Sequence, residues 1–317
     1  MDIKLFLFGK AIGIIMSNNL IGIFVHGQHG DISLCTSVLK YKDILWPGKK
    51  IVWFLNLAPE KATYLDMLKF NDAISEVRQW PEIDFKELKD PNGQLILNKR
   101  ADFDQMKDLD NGYFPAPWAM LPNTNKVFEQ INYANIPRMV FGVDPSWEWR
   151  PYLGFSKEEY EMAKDFCSKL PHSKTIFIES QLRSAGNFNL PDEAIEGVKA
   201  ACRAKWGACN FIFASKIDHT KYVDDIGVVS IGDLFTVRQA ALVHDHCDLM
   251  VGVCSGITQA CSSWGRKPVP RVELCGSTIV SSVVANGPVN SIICDNWSRE
   301  MMIPGLVNGV KETLNKL

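Results

Sequence analysis

Short apolar runs alternate with amphipathic stretches along most of this chain, and that alternation is its first structural statement. The run Leu20-Ile21-Gly22-Ile23-Phe24-Val25-His26 has the length and composition of a strand buried on both faces. Ile51-Val52-Trp53-Phe54-Leu55 predicts a second strand, and residues 73–81 a short third. Between the first two, Ile32, Cys35, Val38 and Leu39 recur at helical spacing. The second half repeats the scheme, with strands predicted over 174–179, 210–214, 228–230 and 249–253. Helices are predicted over 157–170, 191–206, 236–246 and onward from Ile257. A further helix-like stretch, 126–135, is expected to end before Pro137. Strands and helices alternating at these lengths imply right-handed parallel crossovers, hence an α/β fold.

Two interruptions organise the pattern. Residues 111–118, Asn-Gly-Tyr-Phe-Pro-Ala-Pro-Trp, read as a loop that either recognises a ligand or covers a core. Residues 144–152 hold two prolines and several aromatics between periodic segments, the signature of a crossing between domains. The expected division is a 1–19 extension, an N-terminal Rossmann-like domain over 20–145 and a C-terminal one over 146–317, with a cleft between them. In the extension, two apolar clusters are interrupted by Lys10, too short a run for a membrane-spanning helix. It reads as an appended start, with a secretory signal and a weak membrane-surface anchor as the alternatives.

Composition narrows the function. At 317 residues there is room for two ordinary domains. With 34 basic against 36 acidic residues there is no electrostatic footprint for nucleic acid. The nine cysteines contain no C-x-x-C pair and read as buried reduced thiols of a cytoplasmic protein. His244 and His246 diverge at a helix end, so surface exposure explains them better than metal binding. No acidic D-x-D motif suited to clamping a metal-diphosphate stands out, and no metal or other cofactor is expected.

Two segments carry candidate chemistry. In Gly27-Gln28-His29-Gly30-Asp31, Asp31 falls at a strand-to-helix switch, where open α/β sheets place their working groups. It reads either as a general base or as a helix N-terminal cap. His26, His29 and Gly30 flank it, the histidines reading as phosphate or acceptor contacts or as strand-end caps. In the second segment, Leu249–Val253 leads through Cys254 into Ser255-Gly256-Ile257-Thr258-Gln259. A helix starting straight after a buried strand offers N–H groups to a diphosphate, and Gly256 permits close backbone approach.

These two segments, in this order and spacing, resemble the ADP-heptose:lipopolysaccharide heptosyltransferase family (glycosyltransferase family 9). The family pattern G-D-x-x-x-x-x-P-x-L matches Gly30-Asp31 onward, with Ser37 where proline is common. Its D-[ST]-G-x-x-H donor motif matches Ser255, Gly256, Ile257 and Thr258, with Cys254 and Gln259 replacing the aspartate and histidine. Residues 266–278 match its following R-P, strand and G-[PS]-T stretch. The resemblance implies the two-Rossmann GT-B architecture and an inverting, metal-independent glycosyltransferase with Asp31 as base. It implies a nucleotide-diphosphate sugar as co-substrate, and a glycan, lipopolysaccharide-like or other saccharide as acceptor. The loop bearing Arg183 and Ser184 is where the family contacts donor phosphates. The cytoplasm is the implied location, with peripheral association to a membrane as a variant. The alternatives are a non-catalytic sugar-nucleotide-binding protein, for which Cys254 and Gln259 speak, and a sugar-nucleotide epimerase of the same architecture.

Overall fold

Strand β1 (Leu20–Phe24) is buried along nearly its whole length and lies inside a parallel sheet of order β3-β2-β1-β4. Its neighbours are β2 (Lys50–Leu55), in register from Leu20 opposite Lys50 to Phe24 opposite Phe54, and β4 (Asn111–Tyr113). At the edge stands β3 (Ile74–Gln79). The computed structural model describes residues 19–25, 27–55, 63–79, 108–113, 135–144, 146–182, 188–217, 225–275, 289–293 and 299–317. All of the N-terminal extension except Asn19 therefore lies outside the described residues.

The second sheet is also parallel, in the order β12-β11-β10-β5-β8-β9. Its strands are β5 (Lys174–Glu179), β8 (Cys209–Phe213), β9 (Val228–Ser230), β10 (Leu249–Val253), β11 (Arg271–Cys275) and β12 (Val289–Ile293). A two-stranded antiparallel hairpin, β6 (Gln181–Leu182) with β7 (Phe188–Asn189), follows β5. Residues of β8, β10 and β11 are buried throughout, as strands covered by helices on both faces must be. The result is an α/β chain with two parallel sheets, as the alternating pattern implies.

Three local differences have physical reasons. The first helix is α-helical only over His29–Cys35 and tightens to a 3-10 helix over Thr36–Tyr41. Pro137 lies within the helix Asn135–Phe141 rather than beyond a helix end. It occupies the first turn, where a missing N–H breaks no intrahelical bond; residues 126–134 lie outside the described residues. Asn111-Gly112-Tyr113, expected as loop, is a strand, and a Cβ on Gly112 would come within 3.1 Å of the Phe24 ring.

The helix Arg299–Lys316 has no counterpart in the periodicity reading, because Pro304, Gly305 and Gly309 interrupt its pattern. Even so, Met302, Leu306, Val310 and Leu314 are buried at intervals of four. Gly309 lets the helix approach the sheet closely: a Cβ there would sit 2.7 Å from Ile292 and 3.0 Å from Val272.

The two sheets are joined by a continuous core and an anchored crossing. One apolar cluster runs from Ile23, Ile32 and Trp53 to Phe177, Ile212 and Met250. Along the crossing, Tyr152 donates its N–H to Thr36 Oγ1 (3.0 Å), and its carbonyl accepts from Asn71 Nδ2 (2.6 Å). Arg150 donates to the carbonyls of Ser262 (3.0 Å) and Ser263 (3.1 Å). Arg238, fully buried, reaches both halves with all five of its N–H donors. It binds the Asp66 carbonyl (2.7 Å) and Oδ1 (3.2 Å), the Gly154 carbonyl (2.7 Å), and both Glu159 oxygens (2.7 and 2.5 Å).

Candidate functional site

The end of β1 and the end of β10 each lead straight into a short helix, and the two helix starts meet backbone to backbone. The second of these helices is Gly256–Ala260. A Cβ built on Gly256 would lie 2.8 Å from the Gly30 nitrogen and 3.0 Å from His29 Cβ. A Cβ on Gly30 would lie 3.4 Å from Gly256 Cα, an ordinary contact. Gly30 and Gly256, nominated from opposite halves of the sequence, are thus neighbours, and only glycine fits at Gly256.

Asp31 is the third residue of its helix, not the N-cap; Gln28 holds that position. The Gln28 N–H donates to Asp31 Oδ2 at 2.8 Å, which fixes the carboxylate over the strand-to-helix turn. Gly27 makes room for it: a Cβ at residue 27 would meet Asp31 Oδ2 at 2.5 Å and Asp31 Cβ at 2.6 Å. The carboxylate is half-buried, with His29 and Gly30 half-buried beside it.

Tyr64, on the helix Thr63–Asp66, joins this group although nothing in its sequence context singles it out. Its ring meets that of His29 edge-on, centroids 4.8 Å apart. Burial, then the negative charge of Asp31, pushes the Tyr64 phenol above its ordinary range. Cys35, one turn on from Asp31, is buried, and burial followed by the Asp31 charge raises its thiol well above the usual value. It is no nucleophile.

At the opposing turn, Ser255 is the N-cap, and its Oγ accepts from the N–H groups of Ile257 (3.1 Å) and Thr258 (3.5 Å). The Thr258 hydroxyl accepts from the Ser255 N–H and donates to the Ser255 carbonyl, both at 2.9 Å. Thr258 is therefore a buried brace of the turn, while Ser255, Gly256 and Ile257 are half-buried at its surface. What this turn offers a ligand is the Ser255 hydroxyl proton and the Gly256 N–H. Gln259 is buried behind it, its Nε2 4.0 Å from Cys254 Sγ.

Other nominated residues fall elsewhere. His26, Arg183 and Ser184 lie outside the described residues. His244, expected at the surface, is fully buried, edge-on to the Phe177 ring at 5.7 Å between centroids. Burial, then the charge of Arg271, drives its imidazole well below the ordinary range, so it is neutral; an apolar helix face, not the C-terminal dipole, decides its place. His246 is exposed. The described cysteines are all free thiols, and all but the half-buried Cys167 are buried. Cavities of about 460 Å³ beside Leu68–Val77 and about 480 Å³ beside Phe188–Glu193 border neither Asp31 nor Ser255.

No protein-family model matches this chain, and no curated protein matches its sequence. Its fold does match solved structures. A glycosyl transferase family 9 structure from Veillonella parvula superposes with a TM-score of 0.61 at 14% identity, covering 94% of this chain and 97% of that one. The ADP-heptose lps heptosyltransferase II of E. coli gives 0.60 at 13% identity, over 93% of this chain and 97% of its own. An E. coli heptosyltransferase solved with ADP gives 0.57 at 13% identity, over 94% and 99%. The two-sheet α/β fold of this chain is therefore the GT-B-like fold of these glycosyltransferase structures. Among the described residues, no helix is long and apolar enough to cross a membrane.

Proposed function

We propose that this chain is an inverting glycosyltransferase that moves a sugar from a nucleoside-diphosphate sugar to a saccharide hydroxyl, with Asp31 as general base. The observation that carries this reading is the meeting of Asp31's helix start with the Ser255–Gly256 turn, in a fold like that of heptosyltransferases. Similar structures carry ADP or an ADP-heptose analogue.

In the proposed step, Asp31 takes the proton of the acceptor hydroxyl as its oxygen attacks the anomeric carbon. The bond from that carbon to the diphosphate oxygen breaks on the opposite face, and the nucleoside diphosphate leaves with the bonding pair. Charge grows on the leaving diphosphate. In this reading the Ser255 hydroxyl and the Gly256 N–H at the start of the second helix would meet that charge with fixed dipoles. The reaction as written needs no metal on the diphosphate.

The test is thermal stabilisation of the full chain by a panel of nucleoside diphosphates and their sugar conjugates. A ligand at 100 times its dissociation constant adds about 2.7 kcal/mol, a readily measured rise in melting temperature. Selective stabilisation by one base and its sugar conjugate is the expected result. No response to any member would remove the donor site. A second reading, a sugar-nucleotide-binding protein without transferase activity, draws on Cys254 and Gln259 standing buried where the resembling family has aspartate and histidine. It predicts the same stabilisation but no sugar transfer.

A further inference from the structure

Directly behind the Ser255 turn, two cysteines and a glutamate converge in the core of the second sheet. Cys254 follows β10, while Glu273 and Cys275 lie two apart on β11 and so share one face of that strand. The register sets Val253 opposite Leu274 and Gly252 opposite Glu273, which brings Cys254 alongside Cys275 and leaves no side chain facing Glu273 at residue 252. One ligand atom from each of the three lies within 4.8 Å of the other two. Relative exposures are 5% for Cys254, 1% for Glu273 and 0% for Cys275.

We propose that Cys254, Glu273 and Cys275 form a buried binding site for a thiophilic divalent cation of the zinc(II) class. Tetrahedral zinc with sulfur ligands at about 2.3 Å sets neighbouring sulfurs roughly 3.8 Å apart, so small side-chain rotations close the site. Two thiolates and a carboxylate carry three negative charges, and a divalent cation leaves one. Arg271 supplies the balance: it is buried, with Nη1 3.5 Å from Glu273 Oε1. Its Nε and Nη2 have no hydrogen-bond partner among the described residues. Gln259 Nε2, 4.0 Å from Cys254 Sγ, is placed to serve as an outer-shell donor to a thiolate. Three protein ligands leave the fourth position to water. Binding releases the protons of both thiols. The ion would tie the ends of β10 and β11 together immediately before Ser255, a bracing role apart from the transfer chemistry.

The full chain, stripped with a chelator under reducing conditions, is titrated with Co²⁺ and then Zn²⁺ and followed by absorption. One equivalent of Co²⁺ should produce a thiolate-to-cobalt charge-transfer band with tetrahedral ligand-field bands, and Zn²⁺ should abolish both. Cys254→Ser and Cys275→Ser should each weaken binding by at least the roughly 10–100-fold that outer-shell changes cost, and should reduce the charge-transfer intensity. Glu273→Gln should keep the charge-transfer band with weaker binding, and Cys167→Ser should match wild type. The wild-type spectrum decides even where a variant fails to fold: no charge-transfer band overturns the site. Protein mapped as isolated, before any chelator or reductant, that carries a Cys254–Cys275 disulfide and no bound metal overturns it too. Neither readout depends on whether the protein transfers sugar.

Discussion

Replacing Arg238 with methionine tests the physics that holds the two sheets in one arrangement. The guanidinium is fully buried and is held by Glu159 and Asp66, whose side chains are 10% and 9% exposed. Burial alone would lower its pKa, but hydrogen bonds to Glu159 and the charges of Asp66 and Glu159 outweigh that and raise it. Methionine preserves the volume of the stem while leaving two carboxylates without their cation. Breaking such a buried pair typically costs about 3–5 kcal/mol, against about 0–1 kcal/mol for an exposed pair. That is a large share of the roughly 5–15 kcal/mol that stabilises a typical domain. With a urea slope near 3 kcal/mol/M, the midpoint should fall by about 1–2 M in a tryptophan-fluorescence titration. The triple variant Arg238→Met, Asp66→Asn, Glu159→Gln removes the orphaned charges and should recover most of the loss. A midpoint within about 0.3 M of wild type for Arg238→Met alone would show that this buried network contributes no more than a solvated surface pair.

Further expectations concern the helix junction and acid sensitivity. Gly256→Ala should push the helix starts apart, because its Cβ would stand 2.8 Å from the Gly30 nitrogen, whereas Gly30→Ala meets only a 3.4 Å contact. Donor affinity measured by calorimetry should therefore fall markedly for Gly256→Ala and little for Gly30→Ala; equal effects would contradict the contact geometry. Burial alone would raise Glu159, but hydrogen bonds from Arg238 and Gln239 hold it below the ordinary carboxylate range. A depressed folded-state pKa contributes stability above the unfolded value and loses it as pH falls through the folded one. Denaturation midpoints should accordingly drop below about pH 4, and Glu159→Gln should flatten that acid limb; an unchanged limb would exclude Glu159 as its source.

Much of this architecture was legible because parallel strands buried on both faces leave unbroken apolar runs, as in Leu20–Phe24 and Leu249–Val253. The same logic located Asp31 and Ser255–Gly256, since strand ends and glycines mark where backbones turn and approach. What escaped depends on contacts distant in sequence. Tyr64 reaches the Asp31 group only through the packing of a four-residue helix. Arg238 reads as an ordinary helix residue until Asp66, 172 positions away, supplies its partner. His244 was misplaced because a polar side chain near a helix end suggests solvent, while its helix turns that face inward. The short strand β4 was hidden in a polar, glycine-containing stretch that only pairing with β1 makes a strand.

The proposed transfer stands or falls on Asp31 acting as a base rather than only as a helix-start brace. Asp31→Asn keeps an oxygen that can accept the Gln28 N–H, held at 2.8 Å in the native protein, so folding should be preserved. The decisive measurement is the single-turnover rate of sugar transfer by Asp31→Asn, taken beside its affinity for the donor that the nucleotide panel identifies. Donor affinity should stay within about threefold of wild type while transfer slows roughly 10²–10⁴-fold. Transfer at the wild-type rate would contradict a base role, and Asp31 would then be only the carboxylate that secures the first turn of its helix.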